Sequence, residues 1–324
     1  MQYRVIENKR RDNLDTHEFD GEQVVWLARE GEVKHPRTGE TVRPRLPGSP
    51  QEIDGEGDRL RALADWVARR DNPFFARAQV NRVWYHLMGR GLVDPNDDLR
   101  ASNPPVNGPL LDALTADFVA HRFDLRYLVR TILTSRTYQL SAVPNETNRD
   151  DETNFSHALV RPLQAEQLLD ALSGVTGVPV KFTGQPEGTR AAQLPGARSL
   201  RERGAAPSEG ERFLRTFGKP ERSLTCECER SEDTTLGQAF QMMSGQLLQG
   251  MLSEPDNRLG RLIKSGRTDR AIVEELYLAA VCRPPSEKER TAAEALLARG
   301  KDRRAALEDL SWGLLNAKEF LLRQ

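Results

Sequence analysis

Two cysteines stand one residue apart, Cys226 and Cys228, inside LTCECERSED, with Glu227, Glu229 and Arg230 among and just after them. Residues of these types could bind a metal, close a disulfide, pack as two free thiols or supply a catalytic thiol. Structural zinc normally takes four Cys or His ligands, with a C-x₂₋₄-C spacing. The C-x-C pair is short of that set, and His157, His121 or His86 would have to fold close to complete it. A Cys226–Cys228 disulfide would close a very small loop, which disulfide geometry tolerates poorly. Free cysteine packs as a small hydrophobe. Arg222 and Arg230 would lower a thiol pKa, whereas Glu227 and Glu229 would oppose that. All four readings stay open, and a structural role is the expectation. Glu229 and Arg230 precede a helix-start signal at Thr235, where a carboxylate is favourable with the helix dipole. Arg222, Cys226, Cys228, Glu229 and Arg230 would then pin a long loop. The third cysteine, Cys282, falls on an apolar helical stripe.

A second cluster lies in NRVWYHLMGRGLVDPNDDLRASNPP. Asn81, Arg82 and Trp84 are expected to be structural. His86 follows Arg82 by four residues, so the two can share a helix face. Asp94, Asp97 and Asp98 follow in a turn, and carboxylates so spaced can ligate a hard cation such as Ca²⁺. The run lacks the EF-hand register and its closing Glu. Asx-turns and pairing to Arg90 or Arg100 account for these acids without a ligand. As an acid/base set, Asp97, Asp98, His86 and Glu229 are weak catalytic candidates; Cys226, Cys228, Asp94, Asp97 and Asp98 are weak metal candidates. Glycoside hydrolysis needs two carboxylates at a defined separation, and the sequence does not single out a pair.

Other chemistry is excluded by pattern. No phosphate-binding G-x-x-x-x-G-K-[ST], no H-E-x-x-H and no G-x-S-x-G occurs. No C-x-x-C-H is present, so the chain has no c-type haem site of its own. The 47 basic and 48 acidic residues leave a net charge of −1, which gives no basic excess for nucleic acid. Only 8 of the basic residues are lysine. Arginine's planar fork suits bidentate carboxylate pairs, so buried or half-buried pairs with Asp or Glu are expected at Arg82, Arg136, Arg161 or Arg230. MQYRVIENKRRDNLD has no apolar signal region, and no apolar run approaches membrane-spanning length.

The scaffold read from the sequence is mainly α-helical. Residues 1–57 are expected to form a β-hairpin near 23–44, turning at RTGE, followed by a Pro/Gly-rich linker, together the tail of a preceding domain. Residues 58–324 are expected to form one helical bundle with a long irregular insertion, 178–232. Leu60, Leu63, Ala64 and Val67 share one face. Asn72 and Pro73 start a helix that stops at Gly89, with Ala76, Val80, Val83, Trp84 and Leu87 inward. Pro109 starts another, reaching about His121. Asp124 caps a third, with Leu125, Leu128, Val129, Ile132 and Leu133 inward. Pro162 opens a helix to about Val175. Thr235 with Gln238, and Ser286 with Glu289, match capping boxes. The first of these opens a helix over 235–252, with Met242, Met243, Met251 and Leu247 in the core. A last helix spans about 302–322, with Trp312 in the core.

A resemblance covers most of this region. The strings DNPFFARAQVNRVWYHLMGRGLVDPNDDLRASNPPVNGPLL, RPLQAEQLLDALSGVTG, FLRTFGKPERSLTCECERSEDTTLGQAFQMMSGQLL and ELYLAAVCRPPSEKE resemble the Planctomycete-type family called domain of unknown function 1553. The resemblance runs nearly continuously over 59–324. It implies an exported or periplasmic protein in which this domain follows a second unknown domain (number 1549), often with a c-type cytochrome domain at the N-terminus. Haem would then sit on that separate domain. Partners would be the companion domains of the same longer protein, or a redox partner. The function so implied is a helical accessory or interaction module of a cytochrome-linked redox or polysaccharide-processing protein. A hydrolase acting on complex polysaccharide and a metal-binding structural domain are the alternatives.

Overall fold

The computed structural model describes residues 2–5, 23–26, 33–46, 52–53, 58–194, 207–220 and 235–323. The chain separates into two compact units, 1–159 and 160–324, so the region from 58 onward carries more than one core. The architecture is mainly α, with two-stranded ladders as the only sheet among the described residues.

In the first unit, β1 (Gln2–Val5) pairs antiparallel with β2 (Gln23–Trp26). The expected hairpin is therefore shorter than the sequence suggested. It joins only β3 (Val33–Lys34) to β4 (Thr41–Val42), while β2 takes an earlier partner. The turn between them sits at the expected place: His35 N donates to the Glu40 carbonyl at 2.8 Å, and Gly39 adopts φ +74°.

Helix α1 (Arg59–Val67) is capped by Asp58, which accepts from the Leu60 and Arg61 amides. It contributes no fully buried side chain, so its Leu60/Leu63 face is only partly used. Asn72 acts just ahead of α2 (Phe75–Met88): its Oδ1 accepts from the Phe74 and Phe75 amides. Gly89, at φ 92°, ends α2 in the left-handed cap that glycine adopts without a Cβ penalty. Asn107 caps α3 (Gly108–Ala120), and Asp124 caps α4 (Leu125–Leu133) through the Arg126 and Tyr127 amides. One core joins α2, α3 and α4. Ala76, Val80, Trp84 and Met88 of α2 meet Leu111 and Phe118 of α3 and Leu128 and Ile132 of α4. Leu92, Val93 and Phe155 enter from loops. Each such large side chain contributes about 1.5–3 kcal/mol relative to exposure. Leu125, Val129 and Leu133, expected to face inward, stay outside this core.

The second unit begins with a strand where a helix start was expected. Arg161–Pro162 form β5, paired antiparallel with β6 (Leu322–Arg323). Helix α5 (Ala165–Thr176) starts only at Gln164 and ends at Gly177, φ 70°. The insertion is less irregular than its composition suggested. A short 3₁₀ turn covers Ala191–Gln193, and α6 (Glu209–Thr216) is opened by a Ser208/Glu211 capping box. The helix expected over 235–252 breaks at Gly245 (φ −66°, ψ 140°) into α7 (Leu236–Ser244) and α8 (Gln246–Ser253). Three helices follow: α9 (Arg258–Lys264), α10 (Asp269–Val281) and α11 (Glu287–Arg299). The expected final helix divides into α12 (Arg303–Leu315), α13 (Lys318–Leu321) and β6. Helices α5, α6 and α8 share one core with Phe320, and α9 to α12 share another.

One buried asparagine and two arginines stitch these helices by their ends. Asn257 starts α9 with its Oδ1 on the Gly260 amide (2.7 Å), while its Nδ2 donates to the Leu252 and Met251 carbonyls ending α8. Arg258 donates to the Val175 and Gly174 carbonyls at the end of α5 and pairs with Glu275 at 2.9 Å. Arg304 reaches the carbonyls of Ser253, Glu254 and Pro255 and pairs with Glu308. A cation at a helix C-terminus meets carbonyls that have no intrahelical partner and the negative end of the dipole.

Candidate functional site

The loop that follows α2 holds the aspartates and is built on Asn81. This side chain is 0% exposed. Its Oδ1 accepts from Val93 N at 2.9 Å, and its Nδ2 donates to the carbonyls of Val93 (2.9 Å) and Asn96 (2.8 Å). One amide thus substitutes for missing backbone pairing along a segment that passes through a cis Asp94–Pro95 bond. Gly91 completes the turn: a Cβ there would collide with the Val93 carbonyl oxygen. Asn103 closes the far side, donating to the carbonyls of Asp94 and Asp98.

The carboxylates on this loop are largely occupied. Asp98 and Arg100 form a bidentate pair, with both contacts at 2.6 Å. The hydrogen bond from Arg100 holds the Asp98 carboxyl below its ordinary value. A general acid at neutral pH needs the opposite shift. Asp94 lies 3.6 Å from Arg90. Asp97 is exposed to solvent. His86 is half-buried on α2, edge-on to Tyr85 at 5.4 Å. Among the described residues, no three His, Cys, Asp or Glu side chains gather as a set that could hold a metal ion. Asp94, Asp97 and Asp98 therefore do not form one cation site with one another.

Cys226, Cys228, Glu229, Arg222 and Arg230 lie outside the described residues. Cys282 does not sit within a helical stripe: it is the exposed C-cap of α10, in the left-handed region at φ 58°. Of the arginines expected in half-buried pairs, Arg136 is exposed, while Arg82 and Arg161 are half-buried and engaged by neighbours. Half-buried clusters also form at Arg258, Arg304 and Arg283. Arg283 is gripped by two carboxylates, Glu289 (both contacts 2.8 Å) and Glu319 (both 2.7 Å). Trp84 is buried and meets Phe155 edge-on at 5.3 Å. Its Nε1, with Arg90 Nε, Asn96 Nδ2 and His157 Nε2, is a buried polar atom without a hydrogen-bond partner among the described residues.

Two helix faces carry exposed apolar side chains, among them Met243 on α7 and Leu125 on α4, which were expected inside. On α7, Leu236 (78%), Phe240 (64%) and Met243 (59%) project into solvent at i, i+4 and i+7, while Met242 is buried. Trp312 is partly exposed and donates its indole N–H to the Met243 carbonyl at 3.2 Å. On α4, a concavity of about 440 Å³ is lined by Leu125, Arg126, Val129, Arg130, Leu133 and Thr134. His86, Asp94, Asp97 and Asp98 do not line it. Among the described residues, no helix is long and apolar enough to cross a membrane.

A family model described as a protein of unknown function (DUF1553) matches residues 58–297. No curated protein matches the chain, and no solved structure does.

Proposed function

Since the chain belongs to the DUF1553 family of proteins of unknown function, we propose that it is a helical accessory and interaction module of a longer, exported multi-domain protein. The observation that carries this reading is the state of the loop acids. Asp98 is locked on Arg100 and Asp94 stands against Arg90. Carboxylates neutralised in this way serve the fold rather than proton transfer. The exposed Leu236–Phe240–Met243 face of α7 supplies what an interaction module needs, an apolar helical stripe spaced at i, i+4 and i+7. Its partners are the companion domains of the same longer protein. One of these is a c-type cytochrome domain that carries the haem, which places the module beside redox or polysaccharide-processing chemistry carried out elsewhere.

The test mixes this chain with the separately produced upstream region of the longer protein and follows association by analytical ultracentrifugation. Saturable association is expected, weakened at least about tenfold by Leu236→Ser with Phe240→Ser, since truncating central apolar anchors costs about 2 kcal/mol or more. Polysaccharide hydrolysis by this chain alone, abolished by Asp98→Asn, would overturn the reading.

A further inference from the structure

Helix α4 carries more apolar surface than its core uses. Taking Leu125 as zero and about 100° per residue, Leu128 and Ile132 fall at about −60° and −20°, and Leu125, Val129 and Leu133 at about 0° to +80°. Arg126 and Arg130 follow at about +100° to +140°. Leu128 and Ile132 are buried against α2 and α3. The next row, Leu125, Val129 and Leu133, instead lines the concavity, with Arg126 and Arg130 along its rim. Leu125 is 46% exposed, and both arginines are exposed.

The arginines are what identify the occupant. Several arginines in this near-neutral chain pair with carboxylates, as at Arg100, Arg258, Arg283 and Arg304, while others, such as Arg122 and Arg136, stand without one among the described residues. Neither Arg126 nor Arg130 has a carboxylate partner among the described residues. The adjacent acid, Asp124, is engaged as the helix cap. A two-turn apolar row beside two unpaired guanidinium groups complements an amphipathic helix with apolar residues at i, i+4 and i+8 and Glu or Asp beside them. A nucleic acid would meet the charge but not the apolar row. An anionic membrane surface is normally held by clusters of about 4–8 basic residues, more than α4 offers.

We infer that the Leu125–Val129–Leu133 groove of α4, with Arg126 and Arg130, docks an acidic amphipathic helix of a partner protein. The inference rests on the interaction-module reading, whose chemistry it specifies, and it uses residues other than those of α7. The probe is a fluorescein-labelled synthetic helical peptide with Leu at i, i+4 and i+8 and flanking Glu, titrated into the whole chain and followed by anisotropy. A control peptide carries Lys in place of Glu. Saturable binding of the Glu peptide is expected, at least about tenfold tighter than the Lys peptide and weakening as salt rises. Arg126→Glu with Arg130→Glu should weaken it by tenfold or more, with the circular dichroism of the variant unchanged. Leu125→Ser provides a second variant should the double one fail to fold.

Equal binding of both peptides, or no binding of the Glu peptide, overturns the proposal. So does uptake onto phosphatidylglycerol vesicles without peptide binding, which would make the face a membrane contact. Self-association lost in Leu125→Ser, again without peptide binding, would make it a contact between copies. The Leu236→Ser/Phe240→Ser variant should bind the Glu peptide normally. Peptide failure with intact association to the upstream region would sink this inference and leave the module reading standing.

Discussion

Replacing Asn81 by Ala should loosen the loop that carries Asp94, Asp97 and Asp98. The side chain serves three backbone groups, Val93 N–H, Val93 C=O and Asn96 C=O. Val93 and Asn96 are themselves buried, so water does not freely replace the lost amide. Leaving one buried polar group unsatisfied costs about 1–3 kcal/mol. Three such groups, discounted for relaxation of the loop, give about 3–5 kcal/mol. The chain has two units, so a single unfolding curve need not be two-state. The decisive assay is local: hydrogen exchange at the Val93 amide, with urea unfolding of the first unit followed alongside. Protection at Val93 should fall by at least about a hundredfold, the factor that about 3 kcal/mol implies. Asn81→Asp should do no better, because its carboxylate would face the Val93 and Asn96 carbonyls that the amide now serves. Unchanged Val93 exchange and an unchanged midpoint in Asn81→Ala would refute the claim that this side chain holds the loop.

Two further outcomes follow from charge and packing. Glu289 is pushed down to about 2 by its hydrogen bonds from Arg283 and from Ser286. A carboxyl with a lowered folded pKa contributes stability that is present above its unfolded value and is lost as pH falls through the folded one. The second unit should therefore lose stability between about pH 4.5 and about pH 2. Glu289→Gln should flatten that acid limb at a cost of about 1 kcal/mol at neutral pH, solvent screening included; an acid limb identical to the parent's would contradict it. Asp151 receives the Ser156 hydroxyl and the amides of Thr153, Asn154 and Ser156, which hold its carboxyl well below the ordinary range. Asp151→Ala should release Phe155 from Trp84 and shift the Trp84 indole resonance; an unmoved resonance would show that the turn stands without the carboxylate.

Much of the local architecture was legible in the sequence because it is written within a few residues. Asp58, Asp124, Thr235 with Gln238, and Ser286 with Glu289 all cap helices, since a side chain reaching the amide two or three residues on needs no distant partner. The same signal at Ser208 and Glu211 opens α6, inside a stretch whose Gly, Pro and Arg content had suggested irregularity throughout. The mainly α class follows from the same local rules, and the long idiosyncratic strings carried the family. What depends on distance could not be read in this way. Pro162 has every local mark of a helix start, yet it pairs with Leu322, 160 positions away in sequence. A 3.6-residue apolar period shows that a helix has an apolar face, not that anything covers it. Met242 and Met243 are adjacent and chemically alike, yet one packs into the core shared with α5, α6 and α8 and the other is exposed. Leu128 and Leu125 divide in the same way on α4, because α2 and α3 reach only one side of it. The partners of the arginines were likewise fixed only by folding. A guanidinium at Arg258 finds the end of α5, and one at Arg283 finds two glutamates, because helices far apart in sequence bring their termini there. Arg126 and Arg130 face solvent, with no carboxylate partner among the described residues.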